Sequence, residues 1–368
     1  MRIGGRLLAV ALLAVMVCGC YIPEVEKMKT AASTEESYRA WNELIERLSR
    51  TPLIYQANPY YRPLGKGIRA DWAGNYRQAE EAFRDAIENP AYWQTQYASP
   101  HRPMWTLTLR GYLANALFRQ GKIEASIQNY SMTEPSFPSL INRGRPGSDD
   151  QKGWKIFSAY HCKYYGRALE KSGDIKRALE IYRKSFRYGA SEVSADITRL
   201  ETMEASRAQG LKESLRQAER AEQNGQLREA LGHYREALSM SAVLSGSKSI
   251  DPQIARKTIE VARRLDPPPA VPEDARRHAA FASISVKEAK DPSGYEKAIG
   301  EYLRAVCSAP LWADLYVNAA LVYEQMGRYQ NAHDFLSCYL LAAPGAPDAA
   351  QIRTKLYELE FKAQQGKK

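Results

Sequence analysis

The sequence predicts an all-α fold, an α-solenoid of helix-turn-helix repeats with insertions and a C-terminal capping helix. Apolar and small residues recur at helical spacing along most of the 368 residues. The glycines that punctuate this pattern are Gly74, Gly121, Gly173, Gly225 and Gly327. Five positions after each lies Ala or Ser, and nine positions after each lies Phe, Tyr or Leu. A glycine turn joins two helices, and each such pair leaves an apolar face that only the next pair can cover.

The best-defined repeat, residues 316–344, resembles a tetratricopeptide repeat (TPR), whose period is ~34 residues. The residues that carry the resemblance are Ala319, Ala320, Tyr323, Gly327, Tyr329, Ala332, Leu336, Tyr339 and Pro344. Five earlier segments fit the same signature when they are aligned on the turn glycine, with Ser293 in the glycine position of the fifth. The resemblance implies TPR helix pairs over most of residues 64–365.

The N-terminus has the features of an export signal. Two arginines precede an apolar run of eleven residues, 7–17, which is too short to span a bilayer stably. The run ends in Val-Cys-Gly-Cys, which resembles a bacterial lipobox. This resemblance implies cleavage after Gly19 and lipidation of Cys20, and Tyr21 at the next position implies sorting to the outer membrane. An ordinary secretory signal and an uncleaved anchor remain alternatives.

A helix is expected soon after the tether. Ser33 and Glu36 have the spacing of an N-terminal capping box. The apolar stripe that follows comprises Tyr38, Trp41, Leu44, Ile45 and Leu48. Thr51-Pro52 is expected to end this helix.

The distances between turn positions show where the array is interrupted. Ser293 and Gly327 are 34 residues apart, whereas the four earlier turn glycines follow one another at intervals of 47, 52 and 52. These intervals indicate insertions of roughly 13 to 18 residues. The first, 91–103, is aromatic and proline-rich. The second, 134–153, is predicted to be a surface loop, and the third, 191–207, is predicted to be helical.

The C-terminal part is predicted to follow a stiff linker. Residues 266–272 contain four prolines, and we expect a subdomain boundary there. Residues 347–365 are predicted to form the capping helix. Its inward residues are expected to be Ile352, Leu356, Leu359 and Phe361, with charges outward.

These elements give a predicted domain organisation. In order, it consists of a lipoprotein signal peptide (1–19), a lipidated tether with the N-terminal helix (20–63), a TPR array with insertions and an extra helix (64–265), the proline-rich linker (266–272), and a C-terminal TPR pair with the capping helix (273–368). Within the array, the first four repeats are expected near 64–90, 107–135, 157–188 and 211–240.

The sequence shows no catalytic or metal-binding pattern. None of its five histidines lies in an HExxH motif or a Cys/His cluster, and no Walker A, Gly-x-Ser-x-Gly or dinucleotide loop is present. We expect His161 to be packed or on the surface. Glu80-Glu81 is expected on a solvated helix face and Asp149-Asp150 in a loop. The sequence therefore predicts a protein that is not an enzyme and takes neither cofactor nor metal.

The cysteines that follow Cys20 are Cys162, Cys307 and Cys338. Their odd number leaves at least one unpaired, and a disulfide remains open outside the cytoplasm. Buried thiols are favoured, because free cysteine is commonly buried.

The TPR resemblance also suggests where a partner could bind. In that family the concave surface comes from the first helix of each pair. The candidate peptide-binding residues on these helices are Asn115, Arg119, Tyr160, Lys163, Tyr164, Arg167 and Asn318. Asn and Arg can hold the backbone or carboxylates of an extended peptide. The family's dicarboxylate clamp is incomplete, and solvated helix faces are the alternative interpretation.

The charge balance limits the class of partner. Cleavage after Gly19 removes Arg2 and Arg6, so the net charge falls from +10 to +8. Lys and Arg are interleaved with Asp and Glu, which together with the export signal argues against nucleic acid. Expected partners are envelope proteins or peptides, the membrane through lipidated Cys20, and an anionic wall polymer or lipid.

The function expected from these features is that of a lipid-anchored TPR scaffold in the bacterial cell envelope. It would mediate protein–protein interactions in assembly, secretion or outer-membrane biogenesis. The expected location is the outer membrane, facing the periplasm, with inner-membrane or surface anchoring as alternatives. A wall-associated enzyme or regulator that docks through its TPRs is the second hypothesis.

Overall fold

A computed structural model describes residues 23–51, 59–94, 102–142, 146–246, 249–290 and 292–365. Every regular segment in these ranges is helical. The signal peptide, Cys20 and residues 366–368 lie outside the described residues, as do parts of the first two insertions. The chain divides into two compact units between Leu200 and Glu201.

The N-terminal unit consists of two leading helices followed by three antiparallel pairs, with the short helix α7 between the second and third pairs. The helices are α1 (Pro23–Thr30), α2 (Thr34–Arg50), α3 (Tyr61–Trp72), α4 (Tyr76–Glu88), α5 (Arg102–Arg119), α6 (Ile123–Thr133), α7 (Phe137–Ile141), α8 (Asp149–Lys171) and α9 (Ile175–Tyr188). The pairs are α3/α4, α5/α6 and α8/α9. The next helix, α10 (Ser194–Gln223), begins in this unit and ends in the following one.

The C-terminal unit has the same construction. Its helices after α10 are α11 (Leu227–Leu244), α12 (Pro252–Arg263), α13 (Glu273–Glu288), α14 (Pro292–Ser308), α15 (Ala313–Gln325), α16 (Tyr329–Ala342) and α17 (Ala349–Gln365). Helices α13/α14 and α15/α16 pair, and α17 packs on α16. None of the described helices is long and apolar enough to cross a membrane.

The five turn glycines behave as the sequence predicts. All have positive φ, between +69° and +85°. At Gly327 the glycine N–H donates to the Glu324 carbonyl at 2.9 Å, and the Arg328 N–H donates to the Tyr323 carbonyl at 2.8 Å. These bonds satisfy the last carbonyls of α15 while the left-handed glycine reverses the chain. The small residues five positions later, such as Ala332, are buried against the partner helix.

Three predicted segments differ from the structure. Ser293 lies inside α14, so the fifth turn falls earlier, between Glu288 and Pro292. Gly294 in the first turn of α14 lies close to the end of α13, and a Cβ there would lie 2.8 Å from the Ala289 Cα. The predicted loop of the second insertion contains α7, because Phe137 and two apolar neighbours are buried.

The third insertion is helical, as the sequence predicts. It continues without a break into the first helix of the fourth repeat, which makes α10 a helix of 30 residues. The linker 266–272, in contrast, does not separate two cores. Leu238 and Ile254 before it share one apolar cluster with Ile299 and Phe335 after it.

The capping helix α17 is present, but one of its expected inward residues points outward. Leu359 is buried, whereas Phe361 is 62% exposed. Two residues along an α-helix rotate the side chain by about 200°, so both cannot face the same core. Phe361 lies instead four positions after the exposed Tyr357, and the outer face of α17 is not entirely polar.

The left-handed turn gives a test of the repeat architecture. Replacing Gly327 with Ala should lower the free energy of unfolding by about 1 to 2 kcal/mol, because an L side chain is strained at positive φ. Gly327→Asn should cost less, since Asn tolerates this conformation. The control is Gly345→Ala, at a turn with open space and no left-handed φ. Urea unfolding followed by circular dichroism measures the difference, and equal losses at both glycines would contradict it.

Candidate functional site

Helix α2 lies on the first helices of all three pairs in the N-terminal unit. It packs against α3 and α8. It also reaches α5, where the Tyr112 hydroxyl donates a 2.7 Å hydrogen bond to Asn42 Oδ1. The first helices are the surface on which the sequence places peptide binding, so a segment of the chain itself already occupies that surface.

Two glycines allow α2 to approach this closely. A Cβ at Gly65 of α3 would lie 2.1 Å from the Ser49 Oγ of α2. A Cβ at Gly153 of α8 would lie 2.3 Å from the Trp41 ring. Neither position tolerates even a methyl group without movement of α2.

Aromatic contacts hold the middle of α2. The Tyr38 ring stacks on Tyr160 with centroids 3.6 Å apart and planes 8° apart. Its hydroxyl lies 3.2 Å from His161 Nε2 in a hydrogen bond. One turn further along, Trp41 packs against Trp154 with centroids 5.8 Å apart. Such aromatic pairs add specificity to the burial of apolar area.

A charged network holds the N-terminal end of α2. The Lys163 ammonium of α8 donates to Glu35 at 2.5 Å and to Glu192 at 3.1 Å. The Thr34 hydroxyl donates to the other Glu192 oxygen at 3.1 Å. Lys163 is only 5% exposed as a side chain, so these carboxylates take the place of water around its ammonium group. Burial alone would raise the pKa of Glu192, but hydrogen bonds, among them that from Lys163, lower it.

Helix α2 itself begins where the sequence predicts. The Ser33 side chain accepts from the Glu36 N–H at 3.2 Å. The Glu36 carboxylate accepts from the Ala32 N–H at 2.9 Å, one residue before the position of a standard capping box. The cap fixes the first turn, and thereby places Glu35 beside Lys163.

We call the surface beneath α2 the α2-binding face. It comprises Gly65, Tyr112, Gly153, Tyr160, His161 and Lys163. Its members come from α3, α5 and α8, which the glycine turns place side by side.

Four of the predicted peptide-binding residues are buried in or behind this face. Asn115 donates to the Tyr160 hydroxyl at 3.4 Å and accepts from the Tyr130 hydroxyl at 3.4 Å. Tyr160 and Lys163 contact α2 directly. Tyr164 lies 3.5 Å from Glu35 through its hydroxyl. The expectation that these residues are open to solvent was therefore wrong, because α2 covers them.

Arg119 and Arg167 lie at the rim. The Arg119 Nη2 donates to the Tyr160 hydroxyl at 3.2 Å, and its Nε lies 3.8 Å from Asp71 Oδ1. The Arg119 guanidinium also lies 5.6 Å from the Tyr164 ring centroid, and that of Arg167 lies 5.1 Å from it. Both cations are thus oriented by aromatic faces at the edge of the α2-binding face.

Asn318 belongs to a different surface. It is exposed on α15 of the C-terminal unit, together with Leu321 one turn later. The structure therefore brings six of the seven predicted residues into one cluster and places the seventh elsewhere.

Some polar atoms near α2 are buried without a hydrogen-bond partner. They include Asp71 Oδ1 and His161 Nδ1. Burial raises the pKa of Asp71, and the neighbouring Arg119 offsets this only in part. Burial lowers the pKa of His161 to about 3, so its imidazole is neutral at pH 7.

The two acidic pairs noted in the sequence, Glu80-Glu81 and Asp149-Asp150, lie on helices. Both Glu80 and Glu81 are expected on a solvated helix face, and Glu81 is exposed. Glu80 is instead buried, and its carboxylate accepts hydrogen bonds from Gln120 at 2.8 Å and from Lys122 at 2.7 Å. Asp149 lies in the first turn of α8 and not in a loop. The described residues contain no group of His, Cys, Asp and Glu that could hold a metal ion.

The three described cysteines are free and buried. Burial raises the pKa values of Cys307 and Cys338 to about 12. Both are therefore thiols at neutral pH, as the sequence favoured.

Sequence reasoning missed the binding partners of the candidate residues. The side chains that contact the α2-binding face and its rim are Glu35 and Asn42 on α2, Asp71 on α3 and Glu192 before α10. One signal was available, since Asn42 lies one position beyond Trp41 on the apolar stripe of an otherwise amphipathic helix. A buried polar residue on such a stripe indicates a specific contact.

Comparison with known proteins agrees with this architecture. A sequence model of the tetratricopeptide repeat matches residues 313–337, which contain α15, the Gly327 turn and most of α16. No curated protein matches the chain. The fold and this match define an all-α protein that contains a tetratricopeptide repeat, and the predicted all-α fold is confirmed.

Two solved structures are similar to the chain. The TPR2AB-domain:pHSP90 complex of yeast Sti1 is 16% identical; the match covers 83% of this chain and 98% of that chain, with a TM-score of 0.29. The TPR domain of P58(IPK) is 13% identical, covers 94% of this chain and 77% of its own, and has a TM-score of 0.31.

The glycine contacts predict how α2 can be unseated. Gly153→Ala should push Trp41 away and destabilise the α2 contact by about 1 to 3 kcal/mol through overpacking. Gly232→Ala in α11 is the matched control, because its Cβ would meet open space and should stabilise by roughly 0.5 to 1 kcal/mol. Hydrogen exchange should speed up in residues 34–50 only for Gly153→Ala. Unchanged exchange there would show that α2 does not depend on this close approach.

His161 predicts a pH dependence of stability. The unfolded chain binds a proton at this residue near pH ~6.5, whereas the folded state does so only at about 3. Stability from this group is therefore complete above ~6.5 and is lost as the pH falls, by about 2 kcal/mol between pH 7 and pH 5. Urea unfolding of the native chain and of His161→Gln should show a smaller pH effect in the variant. Parallel pH profiles would contradict a buried neutral imidazole.

Proposed function

We propose that the protein is a lipid-anchored scaffold that binds partner proteins in the bacterial cell envelope. The observation that carries this proposal is the seating of α2. First helices of three repeats hold a helix by close glycine approach, aromatic stacking and a buried ion pair. A surface that binds one helix with this specificity has the properties of a protein-recognition surface.

The C-terminal unit offers a second set of first-helix positions. Asn318 and Leu321 are exposed on α15, and Phe281 and Ile284 are exposed on α13. In each case the two residues lie three positions apart, and therefore on one side of their helix. Large apolar side chains at about half exposure are suitable contact positions for a protein partner.

The sequence supports the proposed lipid anchor. The apolar run that ends at Gly19-Cys20 favours lipidation of Cys20, and Tyr21 favours the outer membrane with the repeats facing the periplasm. The mature net charge of +8 favours acidic proteins, and also permits contact with an anionic wall polymer or lipid.

In-cell photo-crosslinking tests the scaffold function. A photoreactive residue at Asn318 or at Arg167 should capture defined envelope proteins, while the same residue at Glu81, which is exposed on the second helix α4, should not. In the same cells the native chain should fractionate with the outer membrane and Cys20→Ala should not. Capture from Glu81 alone would contradict the scaffold, and unchanged membrane association of Cys20→Ala would contradict the lipid anchor.

A further inference from the structure

We propose that the α2-binding face is a receptor for a partner helix that reproduces the chemistry of α2 and displaces it. This inference rests on the proposed scaffold function and names the class of partner at that site. The partner is an amphipathic helix with an acidic residue, then Tyr three positions later and Asn four positions after that. These are the spacings of Glu35, Tyr38 and Asn42.

Each of these three residues makes a defined contact. Glu35 accepts from Lys163 at 2.5 Å, Tyr38 stacks on Tyr160, and Asn42 accepts from Tyr112 at 2.7 Å. The spacings of three and four residues place them on one face of the helix. The face can therefore recognise a helix by these three side chains, as in other complexes in which a helix binds in a groove.

Helix α2 is not a member of any repeat pair. Pairs α3/α4, α5/α6 and α8/α9 each pack without it, and its leading neighbour α1 packs against it. The contacts within the three pairs therefore do not involve α2, whereas α16 is a member of a pair and its Phe335 packs against Tyr316 and Tyr323.

Helix α2 buries both apolar and polar side chains. Its buried apolar residues include Tyr38, Trp41, Leu44 and Ile45, and its buried polar residues are Thr34, Asn42 and Ser49. When α2 leaves, these groups regain water, as in interfaces that form and separate. Lys163 is not left without a counter-charge, because Glu192 of the N-terminal unit also accepts from it at 3.1 Å.

The resident helix also leaves a polar atom unsatisfied. Asp71 Oδ1 is buried near the contact without a hydrogen-bond partner. A partner helix that supplies a donor there gains what α2 does not provide, since a buried unpaired polar group is costly. Arg119 and Arg167 at the rim are positively charged, so they favour an acidic residue at the start of that helix.

Tethering determines how the exchange must be tested. An attached helix competes at an effective concentration on the order of millimolar, so a free peptide at micromolar concentration loses to it. The α2 contacts must therefore be weakened in the intact mature chain. The opened variant carries Glu35→Lys, Tyr38→Ala and Asn42→Ala, and the probe is a fluorescent peptide of residues 33–51.

The opened variant should bind this peptide saturably, at least about tenfold more tightly than the native chain. The matched control variant, Arg39→Ala with Arg47→Ala, changes exposed residues of α2 and should behave as the native chain. A peptide with Tyr38→Ala should not bind. Adding Tyr160→Ala to the opened variant should abolish binding of the native peptide.

Two results would overturn the inference. In the first, the opened variant keeps its helix content by circular dichroism but does not bind the peptide. In the second, the opened variant loses the hydrogen-exchange protection of α5 and α8, which would make α2 an integral part of the N-terminal unit. Neither result affects capture of envelope proteins from Asn318, so failure of this inference and failure of the scaffold function are distinguishable.

Discussion

The seating of α2 on the N-terminal unit depends on the stack between Tyr38 and Tyr160. The two rings are nearly parallel at 3.6 Å, and the Tyr160 hydroxyl also accepts from Arg119 and Asn115. Through these bonds Tyr160 connects α2 to α5, while Arg119 continues the contact to Asp71 of α3. One side chain thus joins the N-terminal helix to the first helices of all three pairs. A change at Tyr160 removes the aromatic surface for α2 and leaves several polar groups without partners.

Glycine serves two separate purposes in this chain. At the repeat turns it supplies a left-handed backbone, which is a local requirement, and a Cβ there would meet open space. Within α3 and α8 it supplies room, because Ser49 and Trp41 occupy the place of a Cβ at Gly65 and Gly153. Glycine inside a helix lowers helix stability, so its presence indicates that close packing compensates for the loss.

The sequence predicts the local features well and the long-range ones poorly, for a physical reason. A turn glycine and the small residue five positions later act within one helix pair, so their spacing is visible in the chain. The α2 contact joins Tyr38 to Tyr160, more than a hundred residues apart, and nothing in local periodicity encodes it. The first-helix residues Asn115, Tyr160 and Lys163 were correctly grouped, but they were expected to face solvent. Apolarity alone predicts that Phe361 faces inward, but the helix rotation relative to Leu359 directs it outward.

The first helices differ in exposure between the two units. In the N-terminal unit α2 covers these helices, and the candidate residues there form hydrogen bonds with other residues of the chain. In the C-terminal unit Phe281, Ile284 and Leu321 remain exposed. A partner can contact the exposed positions without any rearrangement, whereas access to the α2-binding face requires α2 to leave. Because exchange at that face must overcome a tethered competitor, it selects for a partner that matches α2 closely, while the C-terminal positions impose no such condition. The specificity of the protein is therefore expected to reside in the N-terminal unit, even though its most regular repeat lies in the C-terminal one.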